Sequence, residues 1–200
     1  LSVSSDNLTF TYEAKSLPYP IDTSYYDNEK HTQADALSVI PFMDEMNYEG
    51  LSVSGLSDGY YGLTIGGEFI GRFTARELER GINMALLQNT PQYKQAMKIR
   101  QMNEERWLKE RKMREFYWVE YNLMRKTGML WACNEAAVDT LRKYRPHDIF
   151  LQWNGALWLQ YMHKGIREDC VNEQQDLVNQ IYEQNKPIPL QIEIKKFTDL

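Results

Sequence analysis

Cysteine and histidine are scarce in this chain of 200 residues. Its two cysteines, Cys133 and Cys170, are too few for a disulfide scaffold. Nothing in the sequence brings them together, so two free thiols are expected ahead of a pair. The three histidines, His31, His147 and His163, are scattered without ligand spacing, which argues against a metal site. No apolar run approaches the roughly 18 residues of a membrane-spanning helix. A Gly-Asp-Ser block and an Asp-x-x-His block are both absent, so no serine nucleophile is recognisable with its base. A strongly basic balance is lacking too. With 23 basic and 28 acidic side chains the net charge is −5, which disfavours a whole-surface preference for nucleic acid or anionic membrane.

What is present is an ordinary globular composition, 42% hydrophobic and 26% charged, with a mean hydropathy of −0.60. The first half reads as β. Leu8, Phe10 and Tyr12 alternate with polar residues as in a half-buried strand. Pro18, Pro20 and the polar run Asp22 to Gln33 mark a loop, and Pro41 breaks a short apolar stretch. Leu51–Leu56, Tyr60–Ile65 and Glu68–Phe73 predict a three-stranded meander, the last two joined at Gly66-Gly67. On this reading Tyr61, Leu63 and Ile65 share one face, and Phe69 and Phe73 share another. Thr74 and Glu77 have capping-box spacing, with Phe73 and Leu78 placed as a staple. Leu78, Ile82 and Leu86 predict one buried stripe on the helix that follows.

Thr90-Pro91 opens a second helix with no breaker before Gly128. It would run about 37 residues, roughly 55 Å at 1.5 Å per residue. Its middle is charged and laced by Glu105/Lys109 and Glu110/Arg114, whereas its far end is dense in aromatic residues. Asn134 caps a third helix that stops at Arg145-Pro146, and a last helix covers roughly 154 to 184. Ile166, Cys170, Leu177 and Ile181 form its candidate seam against the long helix. Ile188, Leu190, Ile192 and Ile194 then alternate as a strand, with Pro189 at an edge or a strand start. The expected class is α+β. A small antiparallel sheet of the early strands and the C-terminal strand packs with helices, including a long helical hairpin. Residues 1–88 form a mainly β part, 89–185 a helical part and 186–200 the returning strand, together one composite domain.

Candidate chemistry is thin. Glu104-Glu105 and Glu168-Asp169 read as solvated helix faces, and Asp44-Glu45 is a weak interface candidate. Lys98 to Arg114 holds seven basic and three acidic residues, a salt-bridged exposed helix rather than a nucleic-acid face. Trp153, Trp158 and Tyr161 are the candidate substrate-binding residues, as an aromatic platform for a carbohydrate; core packing is the rival reading. No cofactor is implied.

One ordered set of motifs is distinctive: Gly50-Leu51-Ser52-Val53-Ser54-Gly55-Leu56, Tyr60-Tyr61-Gly62-Leu63-Thr64-Ile65, Phe73-Thr74-Ala75-Arg76-Glu77-Leu78 and Gly81-Ile82-Asn83. Leu17-Pro18-Tyr19-Pro20, Pro41-Phe42, Tyr117-Trp118-Val119-Glu120-Tyr121-Asn122 and Asn185-Lys186-Pro187 accompany it. This pattern resembles the C-terminal half of a bacterial SGNH (GDSL-type) hydrolase subfamily. The resemblance implies esterase or acylhydrolase activity, with acylated carbohydrates as candidate substrates. It also implies a catalytic serine and histidine upstream of the matching region, so no catalytic residue carries over to any position here. The chain, opening at Leu1 rather than Met, is expected to be a processed or truncated polypeptide. It would be the accessory region downstream of a catalytic domain, in a secreted or periplasmic protein. The alternatives are a carbohydrate-binding module and an assembly module that oligomerises through the long helix.

Overall fold

A computed structural model describes residues 6–24 and 30–197, so residues 25–29 of the expected polar loop lie outside the described residues. Two compact units emerge, Leu1–Arg100 with Gln184–Leu200, and Gln101–Glu183.

The first unit is built on six strands: β1 (Asn7–Tyr12), β2 (Gly50–Leu51), β3 (Tyr60–Ile65), β4 (Glu68–Thr74), β5 (Ile82–Asn83) and β6 (Leu190–Lys196). Four of them form an antiparallel sheet in the order β1-β6-β3-β4. The C-terminal strand therefore returns to the early strands and takes an interior place between them. Pro189 sits just before β6, where its missing N–H removes no ladder bond. Tyr61, Leu63 and Ile65 of β3 bury one face together with Ile192 and Ile194 of β6. Gly66 and Gly67 both adopt positive φ, 59° and 84°, which lets a two-residue turn match the twist of the hairpin.

Three expectations in this unit are corrected. Leu51–Leu56 is not a strand of a meander: Gly50 and Leu51 form a short strand that pairs with Ile82 and Asn83 of β5, and Ser54 makes an isolated bridge. Beyond them Val53 N–H donates to the Leu78 carbonyl, and Gly55 turns the chain at φ 87°. Phe69 and Phe73 do not share a face, because the register shifts beside Leu63/Thr64 and Ile70 becomes the extra residue of a β-bulge. Ile70 is buried and Phe69 is exposed. Finally, α2 (Ala75–Arg80) stops at Gly81, whose φ of 93° ends the helix, so Leu86 falls off the stripe and is exposed. The start of α2 is as read: Glu77 N–H donates to Thr74 Oγ1 at 3.2 Å, and Thr74 N–H to Glu77 Oε2 at 2.7 Å.

The first unit also contains α1 (Phe42–Glu45), a single turn after Pro41. The long helix α3 (Pro91–Val119) begins there and continues into the second unit. Its α-form ends nine residues before Gly128, in a π-helical turn over Glu120–Met124. Glu105–Lys109 and Glu110–Arg114 pair as read, and Arg106–Glu110 and Arg111–Glu115 add to them. Asn134 caps α4 (Glu135–Tyr144) by accepting Ala137 N–H. The expected single last helix is two: α5 (Ile149–Tyr161), capped by Asp148, and α6 (Lys164–Gln184). Cys170 and Leu177 of α6 are buried. Cys170 Sγ lies 3.6 Å from the Lys109 carbonyl, and Lys109 pairs with Glu173 at 2.6 Å, which joins α6 to α3. The fold is α+β, and both cysteines are free thiols. Among the described residues no helix is long and apolar enough to cross a membrane.

Candidate functional site

The first unit holds an open polar cleft of about 490 Å³, walled by residues 12–19 and 46–50. Both walls are fixed by side-chain amides, Asn47 buried and Asn83 half-buried. Asn47 is buried; its Oδ1 accepts Tyr19 N–H at 2.8 Å and its Nδ2 donates to the Tyr19 carbonyl at 2.9 Å. Asn83 then holds the segment that carries Asn47. Its Nδ2 donates to the carbonyls of Met43 and Asn47, while its Oδ1 accepts the N–H groups of Glu49 and Ala85. Met84 N–H completes the hold by donating to the Glu49 carbonyl at 2.7 Å. Main-chain groups that would otherwise lack partners are thus satisfied by side chains, and the wall is rigid before any ligand arrives.

Two exposed tyrosines rim the cleft. Tyr19 is positioned by Gln33 Nε2, which donates to its hydroxyl at 2.9 Å, and by an edge contact with Phe42. Tyr48 lies over Gly50, where any Cβ would fall 2.5 Å from the ring. Glycine there is what lets the ring lie down. Glu49 lines the cleft between these groups. Its oxygens meet Gln92 Nε2 at 3.4 and 3.5 Å, long contacts for a carboxylate, and the Tyr12 hydroxyl donates toward it. Burial pushes the Glu49 carboxyl above its ordinary value, opposed by the bonds from Tyr12 and Gln92. Burial and the neighbouring Glu49 push the Tyr12 phenol up to about 12. Gln92 is only 3% exposed, and its Oε1 has no hydrogen-bond partner. Gln92 lies behind Glu49 and does not itself line the cleft.

A fully buried carboxylate sits in the helical unit and is arranged differently from the half-buried Glu49. Glu120 opens the π-helical turn and is fully buried. Trp131 N–H donates to its Oε2 and Trp158 Nε1–H to its Oε1, each at 2.8 Å, and the Cys133 thiol lies 3.9 Å away. Trp131 and Cys133 are held in left-handed backbone, φ 62° and 45°. This geometry presents Trp131 at the surface in edge contact with Tyr117 and Tyr121. Burial, with Glu120 adding, pushes the Cys133 thiol up, so it is not the low-pKa thiol of a nucleophile.

The candidate platform residues are not brought together as one surface. Trp158 is fully buried with its indole N–H spent on Glu120, Tyr161 is buried, and Trp153 is exposed beside Phe150. His147 and Asp148 border a recess of about 410 Å³ in the helical unit, but Asp148 is engaged in capping α5 through Phe150 N–H and Leu151 N–H. Asp44 and Glu45 are exposed on α1. The motif reading missed Gly55-Leu56-Ser57-Asp58-Gly59, which has the Gly-x-Ser-x-Gly spacing of a nucleophile elbow. Here a strand follows rather than a helix. Ser57 Oγ donates to Asp6 at 2.8 Å, Tyr61 and Lys196 join the same group, and the arrangement is a clamp on the sheet. These bonds, led by those from Tyr61 and Ser57, hold the Asp6 carboxyl well below the usual carboxylate range. Among the described residues no three His, Cys, Asp or Glu side chains gather as metal ligands.

The cleft was not legible as a site. Of its two positioning asparagines only Asn83 stood in a motif, Gly81-Ile82-Asn83, where it read as structural, and Asn47 carried no signal.

No curated protein matches the chain. Residues 97–186, which contain the whole helical unit, match the family described as the diltiazem deacetylase C-terminal helical domain. The solved structure of a gut microbial diltiazem-metabolizing enzyme superposes on 96% of this chain with a TM-score of 0.88 and 36% sequence identity. The chain spans 43% of the length of that enzyme. In its helical unit this protein is therefore similar to the C-terminal domain of a deacetylase, and over nearly all its length to part of a drug-metabolizing enzyme.

Proposed function

We propose that this chain is the accessory, non-catalytic C-terminal region of an ester hydrolase, packing on a catalytic domain in the same polypeptide and shaping access to it. The observation that carries this reading is the likeness at 36% identity over 96% of this chain to an enzyme of which it spans only 43%. A deacetylase cleaves an acyl group, and the motifs that resemble SGNH hydrolases support a catalytic serine and histidine in an upstream region. The upstream chemistry is accordingly that of an SGNH-type serine esterase, with acylated glycans as candidate substrates and an extracytoplasmic location. The exposed aromatic group Tyr117, Tyr121 and Trp131 supports the packing role, since large rings held rigidly at a surface supply interface area at little entropic cost.

The test compares three proteins on p-nitrophenyl acetate: the chain alone, a polypeptide joining it to its upstream region, and that region without it. The reading expects no turnover from the chain alone and loss of turnover or thermal stability when it is deleted. Turnover by the isolated chain, or a deletion without effect on either property, would overturn it.

A further inference from the structure

The cleft at Glu49 has no part in the reading above, which needs only the fold and its likeness. Its lining nonetheless has the chemistry of a binding site. Glu13 and Glu49 against Lys15 leave it net acidic, which selects against anions. Glu49 is met by only two long contacts and one phenol, although a carboxylate can accept about four hydrogen bonds. A complementary ligand must bring donors to Glu49. It must also carry a flat apolar face for the rim, where Tyr19 and Tyr48 stand 49% and 59% exposed on a clamped backbone. Acceptors are wanted as well, for Lys15 and the tyrosine hydroxyls. Hydroxyl groups serve as donor and acceptor at once. The volume of about 490 Å³ lies within the roughly 300–1,000 Å³ of small-molecule sites.

We infer that the cleft between residues 12–19 and 46–50 binds a neutral, hydroxyl-rich ring such as a pyranose, stacked at Tyr48 and hydrogen-bonded to the Glu49 carboxylate. The site uses this chain's residues alone, and it stands whether or not an ester hydrolase accompanies it. Asn47 and Asn83 are positioning residues: they touch main chain and hold the two walls at a fixed separation.

Binding is read from amide chemical-shift changes in the intact chain titrated with D-xylose, D-galactose, N-acetyl-D-glucosamine and cellobiose. Putrescine and sulfate serve as cationic and anionic probes. Saturable shifts confined to residues 12–19 and 46–50 with at least one neutral sugar are expected. Tyr48→Ala and Glu49→Gln should each weaken that binding about tenfold or more, equivalent to about 1.4 kcal/mol. Both positions can be changed without unfolding a core, and retention of the wild-type amide spectrum elsewhere verifies it. No saturable shift with any sugar, sugar binding unchanged in both variants, or binding of putrescine or sulfate alone at the cleft would each overturn the inference. None of these outcomes depends on esterase turnover, so the two proposals fail separately.

Discussion

Glu120 of the helical unit is fully buried and Glu49 of the first unit is half-buried beside a cleft, and the two glutamates are treated in opposite ways. Glu120 is fully buried and held by short bonds: a backbone N–H and an indole N–H each reach it at 2.8 Å, with a thiol nearby. Glu49 borders a cleft and is undersupplied, with contacts of 3.4 and 3.5 Å and a phenol. A buried carboxylate held by short bonds fixes architecture; here it locks a π-helical turn to a left-handed loop and to α5. An undersupplied one beside a cavity has capacity left for something else. The difference separates a structural polar node from a candidate binding group without appeal to their sequence context.

The largest effect should come from breaking the fully buried node. Glu120→Ala strands Trp131 N–H and Trp158 Nε1–H, and each stranded donor costs about 1–3 kcal/mol. Denaturant unfolding should show a loss of about 2–6 kcal/mol, whereas Glu120→Gln, which keeps an acceptor, should lose less. A loss under about 1 kcal/mol in Glu120→Ala would show that the node is not what holds the loop.

Asn83→Ala comes next. It removes four side-chain bonds to main chain that set the Glu49 wall, and about 2–4 kcal/mol is expected, together with shifted amide resonances across residues 43–50. Unaltered resonances there would mean that the wall stands without its clamp.

Glu49→Gln is the contrasting case, with a small effect whose sign depends on pH. Burial raises the carboxyl above its ordinary value of 4.5, so the native state holds the proton more tightly than the unfolded chain. The favourable contribution of Glu49 is complete below that ordinary value and is lost as pH rises through the native one. The variant should therefore gain stability relative to wild type as pH rises through this window, and the gap should close in acid. Asp6 has the opposite sign, since the bonds from Tyr61 and Ser57 hold it below its ordinary value of 3.8. Its contribution is present above 3.8 and fades as pH falls toward the native value. Asp6→Asn should lower the Tm at neutral pH and converge with wild type in strong acid.

The smallest effect is expected at Trp153. Its ring is 66% exposed, and Trp153→Ala should stay within about 0.5 kcal/mol of wild type, against the several-fold larger loss from truncating Trp158.

What was legible in the sequence was local. The Thr74–Glu77 capping box, the Gly66-Gly67 turn, the Asn134 cap and the alternation of β6 are each written in adjacent residues, and the structure has them. Errors arose where a backbone irregularity interrupts a period. The bulge at Ile70 sends Phe69 to the outer face, Gly81 ends α2 before Ile82, and Asp148 starts α5 early. Trp158 and Tyr161 belong to the same apolar stretch as Trp153, and only the tertiary partner Glu120 tells the buried indole from the exposed one. The cleft was the least legible feature. Glu49 reads as one more acidic residue, and its partners Tyr12 and Gln92 are 37 and 43 positions away in sequence. The Gly-x-Ser-x-Gly spacing at Ser57 teaches the converse, a catalytic signature emptied by the strand that follows it.

The contrast between the two glutamates is tested most directly by ¹³C carboxyl NMR of the chain labelled at glutamate, with Glu49 assigned by its loss in Glu49→Gln. The account predicts that Glu49 titrates above the ordinary value of 4.5 and that a bound sugar shifts its carboxyl resonance. A Glu49 midpoint at or below 4.5 would contradict it, because it would mean a carboxylate already supplied with donors and a cleft with nothing left to offer.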